Sequence, residues 1–336
     1  MHTGRRFSLR EVVHWTRRDI AFYIVLGTIP TLLYNLLGWT WLTIPWVPIA
    51  MIGTAVAFLV GFKNNASYNR LWEARQIYGA IVNSSRSWAI MALDFVTSES
   101  ADPEELRAAR ARLVHRHLAW LHAMRFQLRS QRAWEHTIKV YNREYRRFYK
   151  VDEQDGNTLA AAIEGLLPAH ERDEALGKSN VATHLIALQS RDLGLLNAKG
   201  WLHELRHVEM QNMLVDLYGQ QGKCERIKNF PYPRQYATLN LMFVRLFNSL
   251  VPFGLLGELG RTGPHYVWLT IPLTALICWV FMMMERIGEA SENPFEGSAN
   301  DVPITAMTRT IEIDLREMLG EKDIPPPLAP VNSILM

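Results

Sequence analysis

The sequence predicts an all-α membrane protein with four transmembrane helices and a large helical region outside the membrane. Residues 20–62 contain no Asp, Glu, Lys or Arg, and neither do residues 262–284. Residues 63–234 are polar and lack the alternating pattern of strands. The mean hydropathy of −0.06 is therefore the average of a charge-free membrane part and a charged part outside it.

The first uncharged run is long enough for two spans, because a membrane-crossing helix needs about 20 apolar residues. Gly38 and Pro45 break the run near its middle, and the tryptophans around them are typical of a membrane–water interface. We expect the first span over residues 20–37 and the second over residues 48–62.

The last two spans are predicted over residues 238–257 and 262–284. The third contains Arg245, and a charge at mid-span costs roughly 2.5–3.5 kcal/mol on insertion scales. Arg245 is therefore expected to face protein or water, unless this helix enters the bilayer obliquely.

The basic residues indicate the topology. Arginines concentrate before the first span, lysine and arginine follow the second, and the two outer loops carry almost no charge. The positive-inside rule then places both termini in the cytoplasm. The predicted organisation is a cytosolic N-terminal segment (1–19), two spans (20–62), a cytosolic helical region (63–234), two spans (235–284) and a cytosolic C-terminal segment (285–336). Its proline-rich tail is expected to be extended rather than packed.

Composition excludes some classes of protein. Two cysteines cannot form a disulfide scaffold, and a net charge of +3 gives no strong basic field for nucleic acid.

One segment has the pattern of a zinc enzyme. His203, Glu204 and His207 match H-E-x-x-H, in which two histidines hold zinc and the glutamate activates water. A third ligand is needed, and Glu225 is the formal candidate. Arg206 would place a positive charge between the histidines, so chance is the favoured reading. We expect no metal, no cofactor and no enzymatic activity.

The second span carries two stripes at helical spacing. Small residues recur every four positions at Gly53, Ala57 and Gly61, which allows close helix packing in lipid. One residue further on, Thr54, Phe58 and Phe62 also share a face. In a ring of such helices they would form a narrow hydrophobic constriction. Ordinary packing between spans is the alternative.

Several motifs in order resemble one family. Residues 61–75 read GFKNNASYNRLWEAR and residues 79–86 read GAIVNSSR. Shorter matches follow along the chain: CERI at 224–227, PYP at 231–233 with Tyr236, PFG at 252–254 and NPF at 293–295. Together these closely resemble the bacterial branch of the bestrophin family.

The resemblance implies a homopentameric, all-helical ion channel with one pore on the five-fold axis. It implies that the second span lines the pore neck with Thr54, Phe58 and Phe62. It also implies a second constriction at the cytosolic end, the aperture, which an ungapped count back from Cys224 places at Leu217.

Two departures from the family pattern stand out. Thr54 occupies a neck position where the family commonly has an aliphatic residue. Animal members carry an acidic calcium-binding run after Asn-Pro-Phe, where this chain has Glu296 and then only Asp301 near the end of the segment. Calcium prefers six to eight oxygen ligands. We therefore expect no activation by micromolar calcium, which flux measurements with and without Asp301→Ala would check.

The expected function is a homopentameric channel in the bacterial inner membrane that conducts small monovalent ions, with chloride slightly favoured. The positive edges of inward-pointing phenylalanine rings favour anions. A bestrophin-like sodium channel is the alternative. A membrane zinc metalloenzyme and a non-conducting membrane scaffold remain open as further alternatives.

Overall fold

A computed structural model describes residues 1–336. It contains eleven α-helices and no β-sheet, with only isolated β-bridges between extended residues. The helices, in chain order, are α1 (Leu9–Leu37), α2 (Trp46–Phe95), α3 (Pro103–Arg129), α4 (Val140–Tyr145), α5 (Leu159–Ala162), α6 (Ala169–Leu176), α7 (Val181–Ala198), α8 (Glu204–Asn229), α9 (Arg234–Thr262), α10 (Thr270–Ala290) and α11 (Ile304–Met318). The all-α prediction is confirmed.

The chain divides into two compact units. The apolar unit comprises residues 4–71 and 231–293, and the polar unit comprises residues 1–3, 72–230 and 294–336. Four helical segments are long and apolar enough to cross a membrane, as predicted: Leu9–Leu37, Thr40–Phe95, Arg234–Thr262 and Tyr266–Ala290.

Helix α1 has clear signals at both ends. Ser8 caps its first turn, since its hydroxyl accepts from the Glu11 amide and the Glu11 carboxylate accepts from the Ser8 amide. Gly38 ends it in the left-handed conformation at φ 68°. The helix thus begins about three turns before the predicted span, because it continues through the charged residues that precede the apolar segment.

Helix α2 differs from the prediction in its length. The sequence predicted a span that ends at Phe62, whereas one helix of 50 residues runs from Trp46 to Phe95. No proline follows Pro48 in this stretch, so nothing in the backbone forces a break where the composition changes.

In the apolar unit, α1, α9 and α10 pack against one another around a buried core with the first part of α2. Asn248 of α9 lies inside this core, where its amide donates to the Tyr23 hydroxyl (2.9 Å) and to the Cys278 carbonyl (3.3 Å). The side-chain nitrogen of Asn248 thus has two acceptors inside this core.

The polar unit is built on α3, which packs against α7, α8 and α11. Asp102 caps α3 by accepting from the Glu104 amide, and Pro103 follows it at the first helical position. Inside this unit Asp192 accepts from Arg112 and Arg116. Burial would raise the pKa of the Asp192 carboxyl, but these hydrogen bonds and charges hold it below its usual value.

The C-terminal tail is packed at its end, which the sequence did not indicate. Ile334 and Met336 are buried with Tyr149 and Val151, and Ile334 forms an antiparallel bridge with His2. Only the proline-rich stretch before them has the expected extended form. The prediction of an unpacked tail is therefore wrong for its last residues, because their apolar side chains pack into a small local core.

Candidate functional site

The predicted neck residues lie on one uncovered face of α2. Phe58 is 65% exposed and Phe62 is 70% exposed in the protomer, and Thr54 is exposed as well. Each lies four residues from the next, so they stack over two turns. The protomer alone thus leaves two aromatic rings open in a helix apolar enough to span a membrane. Their role in a neck stays a prediction.

The other side of α2 is buried against α9. Ile49, Val56 and Val60 belong to the core of the apolar unit together with Val244 and Phe247. This packing fixes how α2 is rotated, and the rotation decides which residues remain uncovered.

The Thr54 hydroxyl donates its hydrogen bond within its own helix. Its Oγ1 donates to the Ala50 carbonyl at 3.0 Å. The side chain therefore presents a methyl group and oxygen lone pairs to the outside.

Within the protomer, only part of the small-residue stripe is packed against another helix. A Cβ atom on Gly53 would lie 2.6 Å from Phe247 Cε2, whereas one on Gly61 would meet nothing within 4 Å. Close helix packing is thus confirmed at Gly53. At Gly61, which the protomer leaves exposed, close packing stays a prediction.

This difference gives a matched pair of variants. Gly53→Ala should lower the free energy of unfolding by about 1–2 kcal/mol, because the buried Phe247 ring must shift. Gly61→Ala should be neutral or stabilising by up to about 1 kcal/mol, since alanine is the better helix former. Thermal unfolding in detergent would measure both. Adding Phe247→Leu to Gly53→Ala should recover the loss, and equal effects of the two alanines would contradict the packing.

A buried ion pair holds α2 at the end of the predicted neck. Lys63 directly follows Phe62, and its ammonium contacts the Glu285 carboxylate of α10, with both side chains almost fully covered. The neighbouring Asn64 amide donates to the Met284 carbonyl at 3.0 Å. The charge of Lys63 is therefore neutralised within the protomer. The sequence analysis missed this pair, although each residue borders an uncharged run and the predicted topology puts both at one membrane surface.

Leu217 lies in the interior of the polar unit. It is fully buried on α8 at 0% exposure, and Cys224, two turns further on, is buried too. Burial raises the pKa of the Cys224 thiol, which keeps it neutral. A side chain covered by its own chain has no surface to present to ions, so the structure does not support an aperture at Leu217.

The H-E-x-x-H segment sits at a helix start rather than on a helix face. His203 caps α8, and its Nδ1 accepts from the Leu205 amide at 3.3 Å. His207 Nε2 lies 3.3 Å from the Gln211 amide. The first histidine thus caps the backbone instead of pairing with the second.

The proposed third ligand has other partners. Glu225 Oε1 accepts from the side-chain amides of Gln127 (2.9 Å), Asn180 (3.0 Å) and Gln221 (2.8 Å). No group of three or more His, Cys, Asp or Glu side chains is placed to hold a metal ion. The geometry therefore gives no support to a zinc site.

The acidic residue in the segment after Asn-Pro-Phe is paired with a buried arginine of the same chain. The Asp301 carboxylate pairs with the guanidinium of Arg129 at 3.1 Å, and both side chains are buried. It also accepts from the Gly297 amide (2.7 Å) and the Ser298 hydroxyl (2.6 Å). The acceptor oxygens of Asp301 are thus occupied by the chain's own donors.

Comparison with known proteins gives consistent matches over almost the whole chain. A family model described as Bacterial/Fungal Bestrophin protein matches residues 7–317. The voltage-dependent anion channel-forming protein YneE of Escherichia coli (strain K12) is 27% identical over 336 residues, which cover 96% of this chain and 97% of that protein. The voltage-dependent anion channel-forming protein mll4386 of Mesorhizobium japonicum is 29% identical over 285 residues, covering 85% and 78%. The crystal structure of a bacterial bestrophin homolog from Klebsiella pneumoniae matches with a TM-score of 0.73 and 25% identity, over 93% of this chain and 99% of that chain.

Proposed function

Because the chain belongs to the bacterial and fungal bestrophin family, we propose that it is a membrane ion channel that conducts small anions, chloride first, through a pore shared by five copies. The names of its relatives support the preference for anions, since both are called anion channel-forming proteins.

The observation that carries the proposal is the open face of α2. Phe58 and Phe62 stand exposed on a helix whose opposite side is packed. One helix cannot enclose a passage, so the wall needs identical neighbours. In a pentamer each position becomes a ring of five side chains, and a hydrophobic constriction of this kind resists wetting.

The same residues bear on selectivity. A phenylalanine ring has a positive edge and a negative face. Rings that point their edges inward favour anions. Thr54 contributes a methyl group and lone pairs at the outer end, where it widens the neck and weakens a purely hydrophobic gate.

We place the aperture on α8 but not at Leu217. Three aliphatic residues of α8 are uncovered in the protomer: Leu205, Val208 and Val215. We propose that one of them forms the second constriction. Threonine substitutions at each in turn, tested for altered permeability to large anions, would identify it, and no change at any of the three would place the aperture elsewhere.

We also propose that the protein resides in the bacterial inner membrane with both termini in the cytoplasm, and that the H-E-x-x-H segment has no catalytic role. Reporter fusions at each terminus test the topology, and a zinc assay on the purified protein tests the second point.

The function is tested with purified protein in liposomes under asymmetric sodium chloride. We expect the reversal potential to shift toward the chloride equilibrium potential, and native mass spectrometry to give five times the 38.7 kDa chain. A shift toward the sodium equilibrium potential would assign the alternative, a sodium channel. A clean dimer would contradict the pore. An absence of ion flux would favour the remaining alternative, a non-conducting membrane scaffold.

A further inference from the structure

Arg245 is the one charged residue inside the predicted third span, residues 238–257. Arg245 lies on the face of α9 shared by Thr238, Met242 and Ser249, which follow one another at helical spacing. All four are exposed in the protomer. Beside this face, Leu239, Phe243 and Leu246 form an exposed apolar stripe of α9 without any charge.

Arg245 lies at the depth of the neck. Helix α9 runs past α2 in the opposite direction: the Asn240 amide donates to the Leu59 carbonyl at 3.2 Å, and Phe247 fills the space beside Gly53. Five residues on from Asn240, Arg245 is therefore level with Thr54, which lies five residues back from Leu59.

No group in the protomer neutralises this charge. Arg245 has no hydrogen bond or ion pair, unlike Lys63, whose charge is cancelled by Glu285. The apolar unit contains six carboxylates, all outside the four predicted spans: Glu11, Asp19, Glu258, Glu285, Glu289 and Glu292. None lies at the depth of Thr54 and Phe58.

We propose that Arg245 supplies the positive charge that makes the neck favour anions. Contact with lipid at mid-span is costly for a guanidinium, so this face of α9 must be turned to protein or water in the assembly. At that depth the only negative species is a permeating anion. Five copies form a ring of positive charge, which acts across a medium of low dielectric constant and needs no direct contact with the ion. The inference rests on the proposed channel function and identifies what sets its selectivity.

The test is the reversal potential of the reconstituted full chain in asymmetric sodium chloride. Arg245→Gln should lower the chloride-to-sodium permeability ratio by about tenfold, while Arg245→Lys should keep it. Arg261→Gln is the matched control on the same helix, since Arg261 is exposed and pairs with Glu258 (3.2 Å) at its far end. It should leave the ratio unchanged.

A second variant keeps the guanidinium and cancels its charge. Ser249→Glu places a carboxylate one turn from Arg245, where the two can pair, and it should lower the ratio as Arg245→Gln does. If wild type is anion-selective and both variants keep its ratio, Arg245 has no role in selectivity and the channel function stands. If Arg245→Gln fails to assemble while Ser249→Glu assembles with unchanged selectivity, Arg245 serves only a subunit contact and the inference is overturned. If wild type carries no ions, the proposed function itself is wrong.

Discussion

Phe58→Ala should raise chloride flux by about tenfold, and Phe62→Ala should act in the same direction. Both rings are exposed on one face of α2, and removing either one widens the constriction and lowers the cost of wetting it. The measurement is chloride efflux from liposomes at equal amounts of assembled protein. Because the rings are one turn apart, the double variant should conduct more than either single one.

The control for this experiment is another exposed aromatic residue in a spanning helix. Phe22 of α1 is 61% exposed but lies outside the proposed neck. Phe22→Ala should leave flux within about twofold of wild type, since it alters no pore-lining surface. If Phe58→Ala and Phe22→Ala change flux equally, α2 does not line the pore.

Lys63→Met should destabilise the protein by about 3–5 kcal/mol, because it leaves the Glu285 carboxylate buried without a partner. Both side chains of this pair are at most 2% exposed. The thermal midpoint in detergent would report the loss, and flux should fall with the amount of folded protein. Combining Lys63→Met with Glu285→Met should recover most of the stability, since the pair is then replaced by apolar groups.

An exposed ion pair provides the comparison. Glu258→Gln removes the partner of Arg261, where the two side chains are 47% and 76% exposed. Water screens such a pair, so the change should cost at most about 1 kcal/mol. A similar loss at both sites, or no recovery in the double variant, would show that the Lys63–Glu285 pair is not buried in the assembled protein.

Three of the four spans could be predicted because absence of charge is a local property of the sequence, and the third could be predicted from its apolar residues despite Arg245. The end of α2 could not be predicted in this way, because it depends on residues that are far apart in the sequence. Lys63 looked like a boundary, but a lysine can continue a helix when a residue far along the chain neutralises it, as Glu285 does. The Asp102 cap was readable because its partners are adjacent in sequence.

The face shared by the neck residues could be predicted from the sequence, whereas the position of the aperture could not, for a related reason. The spacing of Thr54, Phe58 and Phe62 showed that they share a face, and packing against Phe247 decides that this face stays open. Leu217 was chosen by counting from Cys224, and counting carries no information on which side of α8 is covered by α3 and α7. Burial depends on these distant helices, so no local signal could have excluded it.

The continuity of α2 has a mechanical consequence. Phe58 and Phe62 belong to one unbroken helix of 50 residues, with no proline after Pro48 to act as a hinge. A rotation of α2 about its long axis turns both rings through the same angle. The two rings then behave as one gate, and single-channel recordings should show one closed level rather than two partial ones.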